Sequence, residues 1–275
     1  MNKYIFFIAL IFGINSCKEV EKTKAKSQQI KEISTDLQVD HLNIWVENPE
    51  LTKKKLNEIG FTSLPDSLSP IHHGQGTTGR YFNFLNSYLE LIFVYNQNEL
   101  EENNNKNKDL DFTVRAGNRI NGASPFSIAL KVKDYQVDKI PFQTVLYHQD
   151  WMEENMNIHS AKSSKTNIQE PSVFVVYPKI ESDQFETLAD LKNIPEEYAI
   201  YREFFKHKNE VKKLTNIVIT STDKELGTDT IKACNKIQNL TIESGPEHLM
   251  ELFFDNQVQG KTFDLRPELP LVIYL

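Results

Sequence analysis

Residues 39–46, Val-Asp-His-Leu-Asn-Ile-Trp-Val, alternate along their whole length. Leu42, Ile44 and Val46 share one face and His41, Asn43 and Trp45 the other, the two-residue period of a strand with one face in a core. Asn48-Pro49 then supplies an N-cap and a proline at the first helical position. Leu51, Leu56 and Ile59 fall on one side of the predicted helix, lysines on the other, and Gly60 ends it. A short strand is predicted near residues 61–64, followed by strands over 80–85 and 88–95 that turn at Asn86-Ser87. The first part of the chain therefore spells β-α-β-β-β, which places it in the α+β class.

The same string recurs at the end. Residues 214–220 read as a strand, Asp223 caps a predicted helix to about Ile237, and residues 240–243, 248–254 and 261–275 read as three strands. The two copies share a pattern and almost no identity. Between them, residues 97–111 are polar and low in complexity and read as an exposed loop. Strands are predicted at 125–132 and 172–177, a short helical stretch from Asp134, and charged, mostly helical sequence over 180–213. The reading is a single folded region over residues 37–275, with units at about 37–95 and 212–275 and a middle segment at 97–213.

Composition sharpens this only at the amino terminus. A net charge of −7 leaves no basic excess to neutralise phosphates, so nucleic acid is not an expected partner. Two cysteines exclude a disulfide scaffold. Lys3 precedes an apolar run over residues 4–14, too short to span a bilayer and suited to a secretory signal over residues 1–16. The run ends in Ile14-Asn15-Ser16-Cys17, which resembles a bacterial lipobox and implies acylation of Cys17. The polar residues after it, 17–36, read as a flexible tether. The expected location is the bacterial cell envelope, with the membrane as a partner through the lipid anchor. Cys234 shares a helical stripe with Ile231 and Ile237 and is expected to be a buried thiol.

Gly74-Gln75-Gly76-Thr77-Thr78-Gly79 matches the G-x-G-x-x-G fingerprint of dinucleotide-binding folds. That fingerprint works between a strand and a helix, where a pyrophosphate meets the helix N-terminus. Here strand-like Arg80-Tyr81-Phe82-Asn83-Phe84-Leu85 follows instead. A dinucleotide is not expected. No Walker lysine, G-x-S-x-G elbow or H-E-x-x-H occurs either.

What surrounds the glycines says more. Asp40-His41 lies on the first strand, His72-His73-Gly74-Gln75-Gly76-Thr77 on a loop, and Tyr88-Leu89-Glu90-Leu91 on the fourth strand. In this order they resemble the glyoxalase-like branch of the vicinal oxygen chelate superfamily, best over residues 39–95 and less closely over 127–134 and 214–275. The resemblance implies repeated β-α-β-β-β units forming an incomplete, cleft-bearing barrel. It also implies metal ligands on the first and fourth strands of each unit, here His41 and Glu90, suited to Zn²⁺, Fe²⁺ or Mn²⁺. The partner unit would offer Ser127 if it is the middle segment, or Thr215 or Asn216 if it is the last one. None is a good ligand, so the metal-free form is the expected one.

Without metal, His41 and Glu90 are either a buried hydrogen-bonded pair or an acid/base pair. In the second case Glu90 is the base and His41, His72 or His73 polarises an oxygen. The ligand-binding set would be His72, His73, Gly76, Thr77, Arg80 and Tyr88, with Thr77 and Arg80 on a carboxylate or oxyanion. The expected function is to act on, or simply to bind, a small oxygen-rich molecule. A lyase, isomerase or dioxygenase chemistry is what the superfamily offers.

Overall fold

The computed structural model describes residues 35–275. The signal segment, Cys17 and the tether up to residue 34 lie outside the described residues.

Two sheets share one apolar core. The first has eight strands. Its first half is β1 (Leu37–Trp45), α1 (Pro49–Glu58), β2 (Ile71–His72), β3 (Thr77–Phe84) and β4 (Ser87–Val94). Then come α2 (Gln97–Lys106), α3 (Phe112–Ala116) and α4 (Asn118–Asn121). Its second half is β5 (Phe126–Val132), β6 (Thr144–Tyr147), β7 (Ile158–Ala161), α5 (Ser163–Thr166) and β8 (Ser172–Val175). The strand order is β2-β3-β4-β1-β5-β8-β7-β6. Each half therefore runs second, third, fourth and first strand toward a shared seam, where β1 and β5 pair antiparallel. The result is an incomplete barrel with a cleft on its concave side.

The second sheet is built from β9 (Leu214–Ser221), α6 (Asp229–Cys234), β10 (Leu240–Ser244), β11 (Leu249–Phe254), β12 (Thr262–Asp264) and β13 (Leu271–Tyr274). Its order is β10-β9-β11-β13-β12. Residues 261–275, expected as one strand, form the antiparallel pair β12 and β13, so this unit has one strand more than β1–β4, and its pairing differs too. The first strand here lies beside the second, whereas β1 lies beside β4. The segment that completes the half-barrel is thus the middle one, and the last sheet packs behind it.

Alternation explains how one sheet serves both a core and a cleft. Leu42 and Ile44, Leu89 and Leu91, Ile128 and Leu130, and Val173 and Val175 face the core shared with Ile217, Ile219, Met250 and Leu252. The residues between them, His41 and Asn43, Tyr88 and Glu90, Ser127, Ser172 and Phe174, line the cleft.

Several sequence expectations are corrected at the element level. Residues 61–65 form no strand, and the second strand of the first unit is Ile71–His72. Residues 97–111 begin with a helix, because Asn96 caps the backbone of Asn98 and Glu99 and Leu100 is buried beneath it. Residues 180–213 hold 3₁₀ segments instead of α-helix, the longest being Glu196–Phe205, which Pro195 opens. The helix before β10 is capped by Thr228 rather than Asp223 and stops at Cys234. Cys234 is fully buried, as expected.

Candidate functional site

The cleft has a volume of about 340 Å³, within the range of small-molecule sites. Trp45 and Tyr88 form part of its wall and leave it open.

Its floor carries a row of polar side chains in register. Tyr81 lies opposite Glu90, Glu90 beside Asn43, Asn43 opposite Ser127 and Ser127 beside Ser172. One polar residue from each of five neighbouring strands stands in this line. On one side it is flanked by rings: the His41 imidazole stacks on Tyr88 at 4.1 Å and 13° and meets the edge of Phe174 at 5.8 Å. On the other side lie Trp45 and Ile92.

Most of the row has no partner inside the protein. The carbonyl oxygen of Asn43 is buried without a hydrogen bond. The side-chain hydroxyls of Ser127, Ser172 and Tyr88 make none to any described residue. Buried polar groups are normally satisfied, so the orphaned Asn43 oxygen, in a cavity with three more hydroxyls free to bond, points to a ligand.

Glu90 is the exception, and its partners are ordered. Its Oε1 accepts from the Tyr81 hydroxyl at 2.9 Å. With that proton committed, Tyr81 accepts from His72 Nε2 at 3.1 Å. His72 Nδ1 then accepts from Thr77 at 3.0 Å, and Thr77 accepts from the Gln75 amide at 2.7 Å. Gln75 in turn accepts from Tyr147 at 3.1 Å. One tautomer of His72 satisfies the whole chain. Burial, aided by His41 nearby, pushes His72 down to about 4, which keeps it neutral at pH 7. Burial pushes the Glu90 carboxyl up to about 7, against the lowering effect of the Tyr81 hydrogen bond. Its second oxygen takes no hydrogen bond from a described residue and is left for the cleft. A Cβ at Gly79 would collide with this carboxylate, so glycine there makes its room.

His41 is held separately. Its Nδ1 bonds to Asp40 at 2.5 Å, and Asp40 is fixed by the backbone N–H of Ser182 at 2.9 Å and its hydroxyl at 3.0 Å. Burial works against the Asp40 charge, but the bonds from His41 and Ser182 outweigh it and hold the carboxyl below its ordinary range. His41 Nε2 makes no hydrogen bond to a described residue. His41 and Glu90 are therefore not bonded to each other; each has its own anchor.

The remaining predicted residues are placed as follows. His72 and Tyr88 line the cleft. Thr77 is buried and acts through His72. Gly76 has φ +80°, and any side chain there would strike the start of α2. His73 is exposed and outside the cleft lining. Arg80 points away from the cleft, donating to Glu50 at 2.9 Å and lying over the Phe93 ring. As Tyr81 faces the cleft, its neighbour must face the other way. His207 is buried away from the cleft, accepting from the Thr62 N–H at 2.9 Å and donating to the Asn83 carbonyl at 2.9 Å.

Sequence reasoning missed Tyr81, Ser172, Phe174 and Arg115 as cleft residues. The signal for the first three was alternation: each is next to a core-facing apolar residue of its strand, Phe82, Val173 or Val175. Nothing in the sequence marks Arg115.

The donor set is thin for a metal. The first unit offers one imidazole and one carboxylate, and the facing positions of the second are Ser127, Ser172 and Phe174. Among the described residues no three His, Cys, Asp or Glu side chains are grouped to hold an ion. Zn²⁺, Fe²⁺ or Mn²⁺ sites take three or more such ligands. These residues do not fit such an ion.

The chain matches no protein-family model and no curated protein. Among solved structures it is similar to a hypothetical protein from Staphylococcus aureus, at 14% identity and a TM-score of 0.48 over 86% of this chain and 97% of that one. It is also similar to methylmalonyl-CoA epimerase from Mycobacterium tuberculosis, at 11% identity and a TM-score of 0.33 over 54% of this chain and 93% of that one. Likeness at this level carries no functional argument. The cleft has to supply it.

Proposed function

We propose that this chain is a small-molecule-binding protein of the glyoxalase-like kind, with Glu90 positioned to exchange a proton with a molecule held in the half-barrel cleft. One observation carries the reading: an ordered carboxyl that ionises at about 7 opens onto a cavity in which the Asn43 oxygen and the Ser127 and Ser172 hydroxyls have no hydrogen bond to a described residue. A group near neutrality populates both of its forms, so it can take a proton and return it. Tyr81 fixes one oxygen of Glu90 and leaves the other for the ligand. Asp40 orients His41 so that Nε2 is presented to an oxygen on the same molecule.

Binding without chemistry is the second reading, and the unpartnered row of Asn43, Ser127 and Ser172 favours it equally, since it needs a ligand and no reaction. Attachment through a lipid on Cys17, and with it residence in the bacterial envelope, is part of the proposal and is supported by the Ile14-Asn15-Ser16-Cys17 motif.

The chain has two tryptophans, and both Trp45 and Trp151 line the cleft. Intrinsic fluorescence therefore reports on its occupancy. The test is a titration of the wild type and of Ser127→Phe, which fills the floor, with a panel of small ring compounds. Saturable quenching in the wild type that is lost in the variant is expected. Equal quenching of both proteins by every compound would overturn the reading.

A further inference from the structure

Resting on that reading of the cleft, we propose that its ligand is an uncharged, flat ring molecule carrying hydroxyl or carbonyl oxygens, laid along the row from Glu90 to Ser172, and that carboxylate- or phosphate-bearing ligands are excluded.

The charge follows from the lining. Arg115 is the one Lys or Arg among the described cleft residues. It is 1% exposed and already spent: Nε donates to Asp111 at 2.7 Å, and the two Nη groups donate to the carbonyls of Ser124, Ser164, Ile168 and Glu170. His41 shares its proton with the Asp40 carboxylate, so any charge on it is balanced in place. His72 is neutral. The net potential of the floor is zero or negative, depending on whether Glu90 is ionised. An anion entering would lose its hydration and find no cation to replace it.

The shape follows from the walls. The His41–Tyr88 stack and the Phe174 edge stand on one side of the row and Trp45 on the other, leaving a slot for a ring system. The row itself crosses three strand spacings between Glu90 and Ser172, roughly 14 Å. It presents a carboxyl, an amide and two hydroxyls, which match ligand hydroxyls and carbonyls by ordinary neutral hydrogen bonds. Asn43 is its centre and the group with most to gain, because its oxygen is buried and unbonded.

The experiment uses two compounds matched in ring and hydroxyl but not in charge, 6-hydroxy-2-naphthamide and 6-hydroxy-2-naphthoate. Each is titrated calorimetrically and by tryptophan quenching into the detergent-solubilised full chain and into its Asn43→Leu variant. The proposal expects saturable binding of the amide, binding of the carboxylate weaker by at least about tenfold, and a similar loss for the amide in Asn43→Leu. Equal or tighter binding of the carboxylate overturns the charge assignment and leaves the cleft reading standing. Unchanged amide binding in Asn43→Leu overturns the placement of the ligand along the row in the same way. Absence of saturable quenching by either compound overturns this proposal; the panel titration with Ser127→Phe decides the broader reading independently.

Discussion

Asn43 is the residue at which the proposed ligand and the fold make different demands. Its neighbours Leu42 and Ile44 are fully buried in the core, whereas its own carbonyl oxygen is buried with nothing to bond. Leaving such a group unsatisfied costs about 1–3 kcal/mol, and replacing it with an apolar side chain of similar shape removes that cost. Asn43→Leu is therefore expected to raise stability by about 1 kcal/mol in urea unfolding while it weakens ligand binding. A loss of stability would mean that the amide supports the strand instead. At this scale much is legible in the sequence. The alternation of residues 39–46 alone puts His41, Asn43 and Trp45 on one face, and that face is the cleft. Ser127 is legible only as one option among several, because its relevance depends on which segment pairs with β1. Arg80 is misplaced by the motif, since a motif position carries no information about which way a strand faces.

At the scale of elements, Arg115 does for the helical segment what the strands do for the sheet. It joins α3 to the carbonyls of Ser164, Ile168 and Glu170, around α5 and the approach to β8, with Asp111 as its counter-ion. Arg115→Met leaves Asp111 and several carbonyls buried and unpaired, so a loss of about 3–5 kcal/mol is expected from chemical denaturation. A loss below about 1 kcal/mol would show that water replaces it. The polar run at residues 97–111 hides this arrangement. Its composition reads as loop, yet the Asn96 cap and the single buried face around Leu100 are enough for a helix once the β2–β3 turn offers a surface. The repeated β-α-β-β-β string misleads in the opposite direction. Most of its strands are recognisable, but hydrogen-bonding order is decided by packing across the whole sheet, and similar strings give different sheets.

For the whole molecule, three buried groups set an opposed pH dependence. Glu90 ionises at about 7 when folded against 4.5 ordinarily, so the folded state holds a proton that the unfolded state has released, and stability falls as pH rises through that window. His72 and His207 ionise at about 4 against 6.5, so the unfolded state holds more protons and stability rises with pH between those values. Glu90→Gln removes only the first effect. Its melting temperature is expected to gain on the wild type progressively from pH 4.5 to 7, by calorimetry, and parallel profiles would contradict this. Attachment to the membrane is tested by Cys17→Ala, which should shift the protein from the membrane to the soluble fraction; no described helix is long and apolar enough to hold it there.

Glu90 is the group on which the proposed chemistry depends, and its ionisation can be read directly. Carbon NMR of protein labelled at glutamate side-chain carboxyls should show one resonance titrating near pH 7, absent in Glu90→Gln and displaced when a ligand fills the cleft. If every glutamate carboxyl titrates below about pH 5.5, near its ordinary range, Glu90 is not poised for proton exchange and the proposed role fails.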